Sequence, residues 1–289
     1  MKTEEIRKTF RQPSAEAYPE LAAYTREQIH SGKMGPGGLY LAVQMVRRLN
    51  LRGGERILDL GCGKGTTSVF LAKECGASVI AVDLWISSSE LHRRFEQEAV
   101  ADRIVPLNLD ISGKLPFAHD YFDAIFCMDS IHYYGGSEAF WLHIARHLKP
   151  GGRVCLGSPC FSAEFRADAL SHLPSVYDDG TDLWAKEFSR YHSPDWWKTL
   201  IDGTGLLSVL QSEELEDGVI LWEDDVLYNL EHGGKAEVAA KDADQYTFRQ
   251  EGMPYLTHFV LCAERIKPNT AIERDCFRAL ERVKASVHG

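Results

Sequence analysis

The sequence predicts an α/β fold built on one doubly wound, mostly parallel β-sheet. Short apolar segments typical of buried strands alternate with amphipathic segments typical of helices over residues 51–157. Such alternation is characteristic of βαβ units. The chain has 289 residues, 44% of them hydrophobic, which is enough for one large core with additions to it. We therefore expect one main domain with insertions and not two independent domains.

Seven segments have the length and the apolar content of strands. The turns beside them are rich in Gly, Pro and Asp, which are the residues that most often interrupt regular structure. The predicted strands cover residues 56–60, 78–84, 104–110, 122–128, 153–157, 206–211 and 257–264.

Helical segments precede, separate and follow these strands. Apolar residues recur at helical spacing, as in Leu39–Leu49. We expect residues 1–50 to form an N-terminal helical lid and residues 51–289 to form the main domain, with insertions at about 158–195 and 213–255. The predicted helices cover residues 15–30, 39–49, 64–74, 88–99, 137–148, 194–202, 219–231 and 272–287.

The charge of the chain argues against nucleic acid as a partner. The formal net charge is -10, whereas proteins that bind nucleic-acid phosphates use clustered Lys and Arg. No apolar run approaches the roughly 20 residues that a membrane-spanning helix needs. The N-terminus also lacks the apolar core of a secretory signal. We expect a cytoplasmic protein without stable insertion into a membrane.

The cysteines and histidines do not form a metal-binding pattern. The seven cysteines are spread widely, and no two have C-x-x-C spacing. His143 and His147 have the i, i+4 spacing of a zinc-binding helix, but Ile144 stands where that motif has Glu. His132 and Asp129 lack a third candidate ligand close in sequence. We expect reduced thiols and no metal.

The motif that carries chemistry is Ile57–Thr66, with the sequence ILDLGCGKGT. A buried strand there runs into a glycine-rich turn that opens a helix. Glycines permit positive φ and a close approach of the backbone to a ligand, and a helix N-terminus favours a negatively charged group. The turn could therefore hold a nucleotide phosphate or an amino-acid carboxylate.

Two ligand classes compete for such a turn. The dinucleotide fingerprint is G-x-G-x-x-G/A, whose last small residue permits close packing of helix on strand. Here Gly61, Gly63 and Gly65 are spaced G-x-G-x-G, and Thr66 occupies the third dinucleotide position. The glycine spacing alone discriminates weakly between the two ligand classes. Asp59, two residues before Gly61, makes the pattern more specific.

Five segments in order resemble the class I S-adenosylmethionine-dependent methyltransferases. Ile57–Gly65 is similar to their motif I, hydrophobic-x-D-x-G-x-G-x-G. Val82–Leu84 resembles the acidic end of their second strand, and Asn108–Asp110 the acid after their third. Phe122–Met128 resembles the fourth strand, and Leu148–Gly152 the turn before the fifth.

This resemblance implies a three-layer, seven-stranded sheet with an antiparallel final strand. It also implies S-adenosyl-L-methionine as cofactor, S-adenosyl-L-homocysteine as product and a small molecule as methyl acceptor. The similarity is vague beyond Gly157, where acceptor choice is expected to lie, so no particular acceptor is carried over.

The resemblance assigns roles to the acids and the aromatic residue near the turn. Asp59 would help to place the methionine part of the cofactor, Asp83 would bind the ribose hydroxyls, and Asp110 would accept from the adenine amino group. Trp85 could cover one adenine face. Each has a structural alternative: a turn cap for Asp59, strand-end turns for Asp83 and Asp110, a surface aromatic for Trp85. The expected cofactor-binding residues are Asp59, Gly61, Cys62, Gly63, Asp83, Leu84, Trp85, Asp110, Ile111 and Met128.

Methyl transfer demands little from the protein, because the sulfonium is a good leaving group. A base is required only when the acceptor keeps a proton at neutral pH. The resemblance puts the methyl group near the end of the fourth strand, where His132 is the candidate base and Tyr133 lines the pocket or orients the acceptor. His132 could instead only bond the backbone there. His192, Tyr191 and Trp196 are further candidates, or core residues.

The acceptor region itself predicts little. Residues 158–197 are unusually aromatic, which is consistent either with a lid that forms an apolar pocket or with simple packing on the sheet. Asp178, Asp179 and Asp182 could attract a cationic acceptor, or could form a solvated loop.

Three functions follow from these patterns. The first is a small-molecule methyltransferase. The alternatives are a nicotinamide-dependent oxidoreductase, which Thr66 and Asp59 disfavour, and a non-catalytic cofactor-binding protein of the same fold. The methylated atom and the oligomeric state are not fixed by the sequence.

Overall fold

Seven strands in the described part of the chain form one sheet. The computed structural model describes residues 3–113, 115–164, 188–232 and 255–266. The strands are β1 (Arg56–Leu60), β2 (Ser78–Asp83), β3 (Ile104–Asn108), β4 (Phe122–Met128), β5 (Leu148–Phe161), β6 (Leu207–Glu214) and β7 (Leu256–Arg265).

The strand order is β3-β2-β1-β4-β5-β7-β6. Strands β1 to β5 pair in parallel, whereas β7 is antiparallel to both of its neighbours, β5 and β6. The predicted mostly parallel sheet with an antiparallel final strand is therefore confirmed. β5 is longer than predicted because β7 pairs with it from Arg153 to Phe161.

Helices cover both faces of this sheet, as a three-layer fold requires. Ile57 of β1 belongs to a core cluster with residues of the third, fourth and fifth helices. The next residue, Leu58, belongs to a second cluster with residues of the sixth and seventh. The helices are α1 (Thr3–Thr9), α2 (Arg26–His30), α3 (Gly38–Leu49), α4 (Thr66–Glu74), α5 (Ser88–Gln97), α6 (Glu138–Ala145), α7 (Pro194–Gly203) and α8 (Gly218–His232).

The prediction of one helix over residues 15–30 is wrong. The segment forms two single 3₁₀ turns followed by the short helix α2. Pro19 begins the second turn, where its missing N–H is tolerated but cannot continue a preceding helix. Thr25 and Gln28 then form a reciprocal capping box that starts α2 as a separate element.

The N-terminal segment is tied to α8 by charge. Three consecutive buried acids of α8, Glu223–Asp225, face basic side chains of the first 33 residues. His30 Nε2 lies 2.9 Å from Asp224, which also pairs with Arg26. Arg11 Nε lies 2.8 Å from Glu223, and Lys33 pairs with Asp225. These contacts hold residues 31–38 against the edge of the sheet.

The carboxyl ends of β1, β2, β3 and β4 meet at one edge of the sheet, where ligands of open parallel sheets bind. In the described residues, no helix is long and apolar enough to cross a membrane. Several predictions fall on residues outside the description, namely the terminal helix, Asp178, Asp179, Asp182, and residues 165–187 and 233–254 of the two predicted insertions.

Candidate active site

A cavity of about 450 Å³ opens at the edge where β1, β2 and β4 end. This volume lies within the range of sites for small molecules and cofactors. Nine of the ten residues expected to bind the cofactor line it: Gly61, Cys62, Gly63, Asp83, Leu84, Trp85, Asp110, Ile111 and Met128. We call it the first cavity.

The glycine turn after β1 leaves no room for side chains on its cavity side. Gly61 and Gly63 have φ values of 65° and 54°, which other residues rarely adopt. A Cβ on Gly61 would lie 2.4 Å from Ser130 Oγ, and one on Gly63 would lie 2.9 Å from Met34 Sδ. The turn therefore presents its backbone to the cavity.

Asp83, at the end of β2, holds the glycine turn and the next turn together. Its Oδ2 accepts a hydrogen bond of 2.8 Å from the Gly63 N–H. Its Oδ1 accepts from the N–H groups of Trp85 and Ile86, at 2.8 and 3.0 Å. Because Oδ2 accepts only one of these bonds and has a further lone pair, Asp83 can also accept from a ligand hydroxyl group in the cavity.

Asp59 lies beneath the glycine turn and does not line the cavity. Its Oδ2 accepts hydrogen bonds of 2.6 Å from Thr67 and Ser68 at the start of α4. Its Oδ1 is buried without a hydrogen-bond partner among the described residues. Burial raises the pKa of Asp59 to about 6, although the two hydroxyl groups oppose this shift. The structure thus gives Asp59 a contact that supports the turn.

The far end of the first cavity is apolar and unusually exposed. Leu84 and Trp85 are 56% and 66% exposed, so both are accessible to a ligand in the cavity. The Trp85 ring meets Tyr133 edge to face at 5.8 Å. Asp110 accepts hydrogen bonds from the Ser112 N–H and hydroxyl, which lower the pKa of its carboxyl.

The sequence analysis did not identify which residues form the N-terminal wall of this cavity. Gly32–Gly35 lines it, and this segment is fixed because the Thr66 hydroxyl donates a 2.6 Å hydrogen bond to the Ser31 carbonyl. Arg94 donates to the carbonyls of both Ser31 and Lys64. The signal was the glycine-rich run at 31–38, which the sequence alone presents only as a connection.

A second cavity of about 280 Å³ adjoins the first. The two share five lining residues: Lys33, Met34, Gly35, Asp129 and Tyr133. The second cavity is otherwise lined by residues distant in sequence, including His132 and Tyr191, which were predicted candidates, and Pro36, Pro159, Trp222, Asp225 and Asn229, which were not.

His132 is buried at this second cavity. Its Nδ1 lies 3.1 Å from the Ser158 hydroxyl of β5, and its Nε2 is buried without a hydrogen-bond partner among the described residues. Burial, together with the smaller effect of the nearby Arg190 charge, lowers the pKa of His132 to about 3. The imidazole is therefore neutral at pH 7.

Tyr133 separates the two cavities, whereas Tyr134 turns inward. The Tyr133 ring is tilted against His132 with centroids 4.1 Å apart, and Arg190 lies over its face at 5.6 Å. The Tyr134 hydroxyl lies 2.7 Å from Ser130 Oγ, which in turn donates to the Leu60 carbonyl. Tyr134 thus fixes the end of β4 against the end of β1.

The first cavity fits a nucleoside joined to an amino acid. A backbone-lined turn stands at one end, carboxylates follow at the ends of β2 and β3, and an apolar surface stands at the other end. Within the described residues, no group of three or more His, Cys, Asp and Glu side chains could hold a metal ion.

Comparison with known proteins agrees with this geometry. Residues 57–152 match the family model described as "Methyltransferase domain". The chain is 32% identical to methyltransferase GfsG of Streptomyces halstedii over 43% of its own length and 44% of that protein. It is 30% identical to the S-adenosyl-L-methionine-dependent Diels-Alderase iccD of Talaromyces variabilis over 60% of the chain and 59% of that protein.

Among solved structures, phosphoethanolamine N-methyltransferase 2 of Haemonchus contortus, in complex with S-adenosyl-L-methionine, has the same fold. Its TM-score is 0.63 at 18% identity, covering 88% of this chain and 60% of that one. The chain matches less than half the length of GfsG, so that protein's activity is not transferred whole. Residues 57–152 thus match a methyltransferase domain, and the strand order and the glycine turn are consistent with the Rossmann-like methyltransferase fold.

Proposed function

We propose that this chain transfers the methyl group of S-adenosyl-L-methionine to a small-molecule acceptor. The observation that carries the proposal is the junction of two cavities. The first has the glycine turn and Asp83, and the second has a buried, neutral His132. The two cavities adjoin at the residues that they share, Lys33–Gly35, Asp129 and Tyr133, as direct transfer between two bound molecules requires.

The residues that would hold the cofactor lie along the first cavity. The backbone at Gly61 and Gly63 would contact the amino-acid part, and Asp83 would accept from the ribose hydroxyls. Leu84, Trp85 and Ile111 would pack on the adenine, and Asp110 would accept from its amino group. Asp59 would act through the turn that it supports. The bound cofactor supplies an activated methyl group on a sulfonium.

The protein's own contribution is alignment, exclusion of water and the handling of one proton. When Nδ1 of His132 carries the hydrogen and donates it to Ser158, Nε2 keeps a lone pair that faces the second cavity. An imidazole with so low a pKa accepts a proton only when the new charge is compensated. Asp129 is a carboxylate that lines the same cavity and could compensate it.

Calorimetry with purified protein tests the cofactor, and a labelled methyl group tests the reaction. We expect micromolar affinity for S-adenosyl-L-methionine and none for NAD. Incubation with methyl-labelled cofactor and cell extract should then give a labelled small molecule, whose identification names the acceptor. Binding of NAD without binding of S-adenosyl-L-methionine would contradict the proposal.

The strand order of the sheet argues against the first alternative, a nicotinamide-dependent oxidoreductase. Dinucleotide-binding Rossmann folds have strand order 3-2-1-4-5-6, whereas here antiparallel β7 lies between β5 and β6. The second candidate is cofactor binding without methyl transfer. It is favoured by the similarity to iccD, which is described as a Diels-Alderase, and by a His132 too weakly basic to be matched to neutral pH. Recovery of intact cofactor with every acceptor tested would support it.

A further inference from the structure

We propose that the second cavity binds an acceptor that carries an amine, and that Asp129 is the residue that recognises it. The inference deepens the proposed function and rests on it, because it assigns a substrate class to the cavity beside the cofactor. Four features of the cavity support it: an unpartnered carboxyl, the backbone that holds it, the balance of charge, and the aromatic walls.

The Asp129 carboxyl has no partner among the described residues. Both of its oxygens are buried, and neither has a hydrogen bond. The two acids near the glycine turn differ, because Asp83 accepts three backbone hydrogen bonds and Oδ2 of Asp59, beneath the turn, accepts two from hydroxyl groups. Buried polar groups are nearly always hydrogen-bonded, so an exception requires an explanation. A donor from a ligand supplies one.

The backbone around Asp129 holds the carboxyl at the junction of the cavities. Asp129 has a φ of 53°, which few residues other than glycine adopt and which recurs at functional sites. Its N–H donates a 2.8 Å hydrogen bond to the Gly157 carbonyl. Gly35 lies directly against the carboxyl, since a Cβ at Gly35 would fall 2.7 Å from Oδ2.

Among the described residues, two acidic side chains and one basic side chain that can carry a charge at neutral pH line the second cavity. They are the carboxyl groups of Asp129 and Asp225 and the ammonium of Lys33. Lys33 pairs with Asp225, which also accepts a 3.1 Å hydrogen bond from Asn229. A second cation in the cavity would therefore balance Asp129. Arg190 lies over the Tyr133 ring and does not line the cavity.

The remaining walls suit a small organic ammonium ion. Tyr133, Tyr191 and Trp222 line the cavity, and aromatic rings attract cations that approach their faces. The volume of about 280 Å³ lies at the lower end of the range for ligand sites, which indicates a small acceptor. Burial raises the pKa of Asp129 well above its ordinary value, and the Lys33 charge opposes that shift. A bound ammonium would act in the same direction as Lys33.

An amine that is itself methylated must first become neutral. Its proton passes to Asp129 or His132, and its lone pair forms the new carbon–nitrogen bond. The electron pair of the carbon–sulfur bond stays on sulfur. The positive charge thus moves from the sulfonium to the product amine, and no oxidant or metal is needed.

Two isosteric probes test the inference: phenethylamine, which is cationic at pH 7, and neutral 2-phenylethanol. Each is titrated by ligand-observed NMR into the protein, with and without S-adenosyl-L-homocysteine. We expect the amine to bind wild-type protein about tenfold more tightly or better, the usual scale of a charge-assisted hydrogen bond. Asp129→Asn should remove that preference and leave the alcohol unchanged. Asn tolerates the positive φ, so the backbone should be retained.

Two further variants sharpen the test. Asp102→Asn makes the same change of charge at an exposed site and should leave both probes unaffected. Lys33→Met removes the cation of the cavity and should strengthen amine binding several-fold, opposite to the effect of Asp129→Asn.

Different outcomes distinguish a failure of this inference from a failure of the proposed function. Amine and alcohol bound equally by wild-type protein, or an amine preference that survives Asp129→Asn, would overturn the inference. An Asp129→Asn variant that loses affinity for S-adenosyl-L-homocysteine but keeps the amine preference would show that the carboxyl serves the cofactor. No binding of S-adenosyl-L-homocysteine by wild-type protein would instead contradict the proposed function.

Discussion

The two cavities meet at Asp129 and Tyr133 but are built differently. The first is formed largely by short consecutive segments at the strand ends, and its polar contacts are mostly backbone groups. The second joins side chains from the N-terminal segment, β4, β5 and α8, which are far apart in sequence. A site made of local segments can be predicted from a motif, whereas a site made of distant side chains depends on the whole fold.

The cavities also differ in how their polar groups are satisfied. In the first, three N–H donors of the protein use most of the hydrogen-bonding capacity of Asp83 and hold its carboxylate in place. In the second, Asp129 and the Nε2 of His132 lack partners among the described residues. A preorganised site binds a single, unchanging ligand well, because its groups are already held in place. Unpartnered groups are satisfied only when a ligand of matching chemistry binds. Four experiments test this contrast.

The largest effect is expected from Asp83→Ala. The change leaves the N–H groups of Gly63, Trp85 and Ile86 without their acceptor and removes the ribose contact. We expect affinity for S-adenosyl-L-homocysteine to fall about 100-fold or more, since a hydrogen bond to a charged group contributes roughly 1.5–3 kcal/mol. Calorimetry measures the affinity. Asp83→Asn keeps one acceptor oxygen, so its affinity should lie between those of wild type and Asp83→Ala. Unchanged affinity in Asp83→Ala would refute the assignment of Asp83 to the ribose hydroxyls.

His132→Ala tests the second cavity without disturbing the first. Once an acceptor is identified, kcat should fall about 100-fold, as loss of a general base typically causes. Affinity for S-adenosyl-L-homocysteine should change by about twofold at most, because the substitution removes contacts with the acceptor in the second cavity and none with the cofactor. His143→Ala, at a histidine that lines neither cavity, serves as the matched control. Full turnover in His132→Ala, with an acceptor that keeps its proton, would place the base elsewhere.

The pH dependence of stability should have opposite signs at the two sites. The folded pKa of His132 is about 3, below the ordinary value, so the unfolded chain takes up a proton that the folded one does not. The free energy of unfolding then falls as pH drops from 6.5 to 3. The folded pKa of Asp59 is about 6, above the ordinary value. The charged carboxylate of Asp59 lowers the free energy of unfolding, and this loss is recovered as the carboxylate is protonated below pH 6.

Urea unfolding at pH 7 and pH 5 separates these effects. At about 1.4 kcal/mol per pH unit, His132 should cost wild-type protein about 2 kcal/mol at pH 5, and Asp59 should return about 1 kcal/mol. His132→Asn should therefore gain stability, relative to wild type, between pH 7 and pH 5, and Asp59→Asn should lose it. Parallel pH profiles for all three proteins would contradict both shifts.

The smallest effect is expected from Trp85→Ala. The ring is 66% exposed, so its loss should leave the free energy of unfolding nearly unchanged. Packing of one aromatic face on the adenine is expected to contribute about three- to tenfold to cofactor affinity. Thermal melting and calorimetry, each with Leu210→Ala as an exposed apolar control, measure the two quantities. Equal cofactor affinity in wild type and Trp85→Ala would make this tryptophan a surface residue only.

Much of the fold was predictable because its signals are local. The glycine turn requires positive φ at Gly61 and Gly63, and it stands between a buried strand and a helix that have distinct periodicities. The helices α7 and α8 were placed within one residue at each end. The N-terminal segment was predicted wrongly, because Pro19 and the Thr25 capping box break a run whose apolar spacing suggested one helix.

The alternation of strands and helices, the glycine turn and the acids at the ends of β2 and β3 could be read from the sequence, since each depends on neighbours a few residues away. The three-dimensional fold was needed to show that Asp59 lies beneath the turn, that Gly32–Gly35 lines the first cavity, and that Lys33, Asp129 and Asp225 share the second. Burial and charge pairing are properties of groups brought together in space. Separations of nearly 100 residues along the chain, as between Asp129 and Asp225, carry no local signal of that contact.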